Sequence, residues 1–259
     1  PHALSHIEFN AGDGATIQSN GEEGLFVITR SAGDTVPSGE STSGGESEVF
    51  EYDGNGLLVY AYTDYPADSR TSTDSSGCIR LKNGSELPGG GFTVASANPV
   101  YIQGDYNTVN KQPALVAGDA VCVLSNSWDD ANSSSGLNSR KASNTTINLC
   151  MMNGNLPTVP GVSYNGGLEN LPRMLEKWSG KTLSINGSIF CLWESEKATG
   201  PWVYGNNRYT APGRDWEYDE MYRNPDNAPP GMPPVYALET LGWDQMSWNE
   251  YDSNNATVN

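Results

Sequence analysis

The sequence predicts an all-β protein: a right-handed parallel β-helix-like (solenoid) body, one flanking α-helix, and an extended aromatic- and Pro-rich C-terminal segment. Three observations predict it. First, short β-rich runs recur along the chain, most of them beside Gly, Asn, Asp or Pro. Second, the runs near Cys78, Tyr101, Cys122, Cys150 and Cys191 lie 23, 21, 28 and 41 residues apart. A solenoid coil takes about 20–30 residues, and the two longer intervals hold insertions at 129–143 and 153–180. Third, the composition favours turns: 29 Gly and 16 Pro in 259 residues, with 36% apolar and 17% charged. Thirteen Tyr and seven Trp separate it from a disordered chain, which is poor in aromatics.

One domain is expected over 1–259, a length that buries a core without staples. Residues 1–12 read as an N-terminal arm in which Ile7-Glu8-Phe9 alternates like a strand. The body spans 13–198. Its strands are expected at Ile7–Asn10, Leu25–Thr29, Val49–Tyr52, Leu57–Tyr62, Cys78–Leu81, Phe92–Ala95 and Val100–Gln103. They continue at Ala114–Ala117, Ala120–Leu124, Thr146–Met151, Thr182–Ile185 and Ser188–Trp193. Asn186-Gly187, between the last two, reads either as a type I′ hairpin turn or as a corner between two faces of a coil. The insertion Asp129–Ser143 is Ser- and Asn-rich and reads as an exposed loop.

A helix is expected over Gly167–Trp178, where Leu168, Leu171, Leu175 and Trp178 fall on one stripe and Gly180 can end it. Pro172 makes its first turn irregular or marks its start. From 199 to 259 regular alternation stops. Trp202, Trp216, Trp243 and Trp248 are expected to anchor an extended segment, Pro201–Tyr251, along the body.

The phrases "LKNGSELPGGGFTVASANPVYIQGDYNT", "PALVAGDAVCVLSNSWDD", "GGLENLPRMLEKWSGKTLSINGSIFCLWES" and "APGRDWEYDEMY" carry a resemblance. In their order and spacing the chain resembles the extracellular part of poorly characterised bacterial pilus-assembly-like surface proteins, over roughly residues 78–225. Members of that group often carry a pilin-like hydrophobic segment at the N-terminus, which this sequence lacks. The resemblance implies a secreted or surface-displayed β-rich protein associated with pili or filaments. It carries over no catalytic residue.

The charge excludes several classes. Thirty-one acids against 14 bases give −17, with no run of Lys or Arg. A phosphate-binding groove is therefore not expected, nor binding to an anionic membrane surface. No apolar run nears the roughly 18 residues needed to span a bilayer. The chain begins at Pro1, so removal of a preceding signal or anchor is an expectation. Cys78, Cys122, Cys150 and Cys191 form no CxxC pair and lie near no His. Zinc and redox-motif chemistry are disfavoured, while buried thiols and one or two disulfides both remain open.

Chemistry-bearing constellations are sparse. His2 and His6 both lie in the terminal arm, a poor base for a catalytic triad. Carboxylates pair at Asp129/Asp130, Glu194/Glu196 and Asp215/Glu217/Asp219/Glu220. Polysaccharide cleavage needs two such groups across a substrate, a geometry that sequence proximity does not supply. Asp105 and Asn107, and Asp129 and Asp130, are oxygen donors of the kind calcium takes, but neither group matches a known calcium loop. They are the metal candidates, and turn-stabilising bonds are their alternative role. No other cofactor and no enzymatic activity is expected. Asn-x-Ser/Thr triplets stand at Asn83, Asn132, Asn144, Asn186 and Asn255.

The expected function is therefore an extracellular or cell-surface structural protein, a subunit that assembles head-to-tail into a pilus-like filament or surface layer. Ile7 and Phe9 are the assembly candidates, placed by the arm on a neighbour's edge. The alternatives are a carbohydrate-binding adhesin or minor pilus component, using Trp and Tyr as a sugar platform, and a polysaccharide-degrading enzyme.

Overall fold

The computed structural model describes residues 56–62, 78–203 and 207–232 in full, and the strand backbone at 5–10, 14–19, 25–30 and 47–51. The described residues form two seven-stranded sheets. The strands are β1 (Ser5–Asn10), β2 (Gly14–Ser19), β3 (Leu25–Arg30), β4 (Ser47–Glu51), β5 (Leu57–Tyr62), β6 (Cys78–Lys82) and β7 (Phe92–Ala95). They continue with β8 (Val100–Gln103), β9 (Ala114–Gly118), β10 (Val121–Leu124), β11 (Thr145–Asn155), β12 (Pro172–Met174), β13 (Thr182–Glu194) and β14 (Gly213–Tyr218).

From β5 to β13 consecutive strands alternate between the sheets. The first sheet runs β1-β5-β7-β9-β11-β13-β14 and is parallel throughout. The second runs β12-β10-β8-β6-β2-β3-β4, parallel from β12 to β2, then antiparallel. Isolated parallel bridges Lys141–Lys177 and Lys177–Thr210 stack the intervening turns as well.

This topology follows from alternation. Leu57, Val59, Ile79, Leu81, Val94, Ile102, Val116, Val123, Ile147, Leu149 and Leu183 are all 0–1% exposed and meet between the sheets. Their neighbours in sequence face outward. Trp178 fills one end of this core, and Trp216 of β14 packs against it. A second, smaller cluster covers the outer face of the first sheet: Leu115, Cys150 and Met152, under Phe190, Tyr222 and Met232. Thr93 Oγ1 donates to the Pro230 carbonyl at 2.6 Å, which ties the chain at Pro230 to β7. Trp243 and Trp248 lie outside the described residues.

A pair of Asn side chains ties the turn after β8 to β11. Asn107, fully buried at φ 57°, donates to Asn148 C=O at 2.7 Å and accepts from Asn148 Nδ2 at 2.9 Å on its own carbonyl. Asn148 is in register with Asn186. The Asn107 and Asn148 side chains thus satisfy buried main-chain carbonyls that the turn otherwise orphans.

Three expectations are corrected. Gly167–Trp178 is not an α-helix, and the described residues contain none: a 3₁₀ turn at Gly167–Asn170 leads into β12. Pro172, Met174, Glu176 and Trp178 are buried and alternate with half-buried Arg173, Leu175 and Lys177, a period of two. Leu168, meant for the apolar stripe, is 56% exposed. Pro172 is tolerated as the first residue of a strand.

Asn186-Gly187 is neither hairpin nor corner. It lies inside β13, with Gly187 opposite Leu149. A Cβ on Gly187 would overlap the Leu149 carbonyl oxygen, so glycine permits the close approach of the two backbones. Residues 1–12 contribute β1, paired with β5 in the chain's own sheet, and β14 extends that sheet beyond residue 198.

All four cysteines are free. β6 and β10 flank β8, and Cys122 is level with Arg80, two residues past Cys78, so the two cysteines stand about 12 Å apart in the backbone, beyond disulfide reach. Cys150 stands opposite Ser188, three residues before Cys191. That odd offset points the two thiols to opposite faces.

Candidate functional site

Two features of the surface are built rather than incidental: an open strand edge and a cationic cleft.

The edge is the second half of β13. β14 covers β13 only from Thr182 to Gly187. Beyond that, Ser188–Glu194 pairs with β11 on one side and with none of the described residues on the other. This stretch reads Ser-Ile-Phe-Cys-Leu-Trp-Glu, and Leu192 and Trp193 are 65% and 38% exposed. An apolar groove of about 550 Å³ runs beside it, lined by Leu156, Leu168, Leu171, Cys191, Leu192 and Trp193. β14, in contrast, presents Arg214, Asp215 and Glu217 on its own edge, charges that discourage pairing. At the far end of the same sheet the outermost strand is β1. There Ile7 stands opposite Val59 and Phe9 opposite Ala61.

The cleft lies on the outer face of the second sheet. Arg80, Tyr101, Cys122 and Arg173 stand in register across β6, β8, β10 and β12. Their alternation is set by Leu81, Ile102, Val123 and Met174, which point into the core. The segment after β13 folds over this row because Asp119 holds it. Asp119 is 4% exposed, and its carboxylate accepts from the N–H groups of Glu196, Lys197 and Ala198 at 2.6, 3.1 and 2.7 Å. Its carbonyl accepts from Ser195 Oγ at 2.8 Å. Ala198 C=O then accepts from Arg173 Nη1 at 3.0 Å.

Trp202 closes the far side. It rests against Gly166 and meets Tyr164 edge-on, with ring centroids 5.3 Å apart. The enclosed space is about 260 Å³. Burial pushes the Cys122 thiol up to about 11, with Arg173 and the Tyr101 hydroxyl opposing it. The neighbouring Cys122, then burial, drive the Tyr101 phenol well above its usual range.

The metal candidates are each engaged with protein donors. Asp105 Oδ1 accepts from Thr146 N–H at 2.8 Å. Asn107 Oδ1 accepts from Gln112 N–H at 2.9 Å. Asp129 caps the 3₁₀ turn at Asp130–Asn132. Asp130 pairs with Arg80 at 2.6 Å and accepts from Trp128 Nε1 at 2.8 Å, and the bond to Arg80 holds its carboxyl below the usual range. Among the described residues no three His, Cys, Asp or Glu side chains converge.

The other carboxylates serve locally too. Asp215 accepts from Ser184 Oγ at 2.9 Å, while Asp219 pairs with Lys111 at 2.6 Å and caps a 3₁₀ turn. His6 stands on β1 opposite Leu58, and His2 lies outside the described residues. Glu176, which no sequence signal marked, is 1% exposed and accepts from Ser125 N–H at 2.6 Å and Ser125 Oγ at 2.7 Å.

Sequence reasoning also missed Arg173. The period-two run from Pro172 to Trp178 is the signal that puts its side chain on the outer face. No helix of the described residues is long and apolar enough to cross a membrane. No protein-family model, curated protein or solved structure matches the chain.

Proposed function

We propose that this chain is an extracellular structural subunit that adds end to end to copies of itself, with a body coiled as a right-handed parallel β-helix. The observation that carries the reading is that, among the described residues, one wholly parallel sheet is unpaired at both ends, β1 at one and Ser188–Glu194 at the other. Because every strand of that sheet points the same way, a second copy's β1 meets the β13 edge in parallel and leaves its own far edge open. Such a contact is heterologous and propagates into a filament. The six residues of β1 match the seven uncovered residues of β13 in length, and the β13 edge carries exposed Leu192 and Trp193. The resemblance to pilus-associated surface proteins supports the same setting, outside the cell.

Sedimentation velocity of the full chain tests it. Concentration-dependent species larger than a monomer are expected. They should be lost on Leu192→Lys and on Trp193→Lys, with circular dichroism of both variants unchanged. A chain that stays monomeric, or variants that assemble like the parent, would refute the edge contact and leave the adhesin as the better description.

A further inference from the structure

We propose that the cleft bounded by Arg173, Trp202 and Tyr209 is a binding site for a single carboxylate-bearing sugar residue. The inference does not depend on self-assembly.

Arg173 carries it. Its Nη1 is held by Ala198 C=O, but Nε and Nη2 are buried and have no acceptor among the described residues. Burying charged donors without an acceptor is costly, so such a pair calls for an explanation. These two nitrogens form one edge of the guanidinium, and their N–H bonds run parallel. That edge is the fork that grips a carboxylate through two bonds at once. Nη1 is fixed to a loop that Asp119 in turn holds with three main-chain bonds, which positions the guanidinium at the cleft; Nε and Nη2 are covered there, so a carboxylate reaches the fork by displacing the groups over it.

The surroundings agree in sign. The protein carries −17 overall, yet the cleft is lined by Arg173, Lys197 and Arg208 against one acid, Glu169. Glu169 is itself paired with Arg214 at 3.1 Å. The cleft thus draws an anion out of a field that otherwise repels it. The walls define the rest of the ligand. Tyr101, Trp202 and Tyr209 offer flat apolar faces with polar edges, suited to a ring that has C–H groups on its face and hydroxyls around its rim. At about 260 Å³ the space holds one ring and not a polymer segment, so an acidic sugar at a chain end fits best.

The test is a titration of the full chain with glucuronate, followed by Trp fluorescence and calorimetry, with glucose and acetate as separate probes. Saturable binding of glucuronate, at least tenfold tighter than either probe, is expected. Arg173→Lys keeps the charge but removes the fork, and is expected to weaken binding at least tenfold. Arg208→Gln, at an exposed position, provides a second variant whose folding is not at risk, and is expected to weaken binding and reduce its salt dependence. No saturable glucuronate binding would overturn the proposal, as would binding indifferent to both variants. Acetate binding as tightly as glucuronate would overturn the sugar assignment.

Discussion

Replacing Gly187 by Ala places a methyl group where the Leu149 carbonyl of the adjacent strand already stands. The obstacle is backbone in the β11–β13 ladder, which has no rotamer to change, so the two longest strands must part locally. Overpacking costs about 1–3 kcal/mol when side chains can yield, and this site belongs at or above the top of that range. Gly-to-Ala substitution also removes freedom from the unfolded chain, worth about 0.4–1 kcal/mol in the opposite direction. The net expectation is a loss of about 2–3 kcal/mol. For a chain of this size that is a fall in Tm of roughly 5–10 °C, at about 2–4 °C per kcal/mol. Gly136→Ala is the control, since a Cβ there meets nothing within 4 Å and φ is −61°. It should leave stability within about 1 kcal/mol of the parent. Urea and thermal unfolding of both variants measure the difference. Equal stability of Gly187→Ala and the parent would refute the reasoning, because it would mean that Asn186-Gly187 turns the chain instead of running beside Leu149.

The remaining predictions use the same logic. Asp119→Ala strips the acceptor from three main-chain N–H groups and should cost about 2–4 kcal/mol. Proteolysis of the native protein should then begin near residues 195–201. In the native state at pH 8 a thiol reagent should modify exposed Cys191 quickly and the other three cysteines slowly, because burial pushes Cys122 and Cys150 up to about 11 and raises Cys78 as well. Four equally fast thiols would contradict the packing. Burial raises the Glu176 carboxyl above its ordinary value, against the two bonds from Ser125. The folded state therefore holds that proton more tightly than the unfolded state. Its contribution to stability is complete below the unfolded pKa and is lost as pH rises through the folded one. Glu176→Gln should flatten that part of the stability–pH curve, and an unchanged slope in the variant would show that Glu176 is not its source.

Strands with clean alternation and turn residues on both sides were legible in the sequence. Leu57–Tyr62, Phe92–Ala95 and Val100–Gln103 form with the expected bounds. Segment 167–178 was not, because it satisfies two periods at once. Leu171, Leu175 and Trp178 fit a helix, while Pro172, Met174, Glu176 and Trp178 fit a strand. What decides is Glu176 finding Ser125, 51 residues away, and no local signal records that contact. β14 was missed because Gly-Arg-Asp-Trp-Glu-Tyr holds one residue, Trp216, that reaches the core, and an edge strand needs no more.

The cleft was illegible for a related reason. Tyr101, Cys122 and Arg173 become neighbours only through the register of three strands. Of the four oxygen donors weighed in the sequence, Asn107 and Asp129 bond nearby backbone as turn residues do, whereas Asp105 reaches Thr146, 41 residues on, and Asp130 reaches Arg80, 50 residues back. The free edge of β13 could be read only once β14 was seen to stop at Tyr218.

Electron microscopy of the negatively stained full chain tests the central claim most directly. Seven strands stack in the first sheet, and a neighbour's β1 beside Ser188–Glu194 shares the level of β14, so each copy adds six strand spacings. At about 4.8 Å per spacing the axial repeat is about 29 Å. Fibres with a repeat near 3 nm, lost on Leu192→Lys, are the predicted result. Dispersed particles of a single chain at every concentration, or fibres with an unrelated repeat that Leu192→Lys leaves intact, would contradict it.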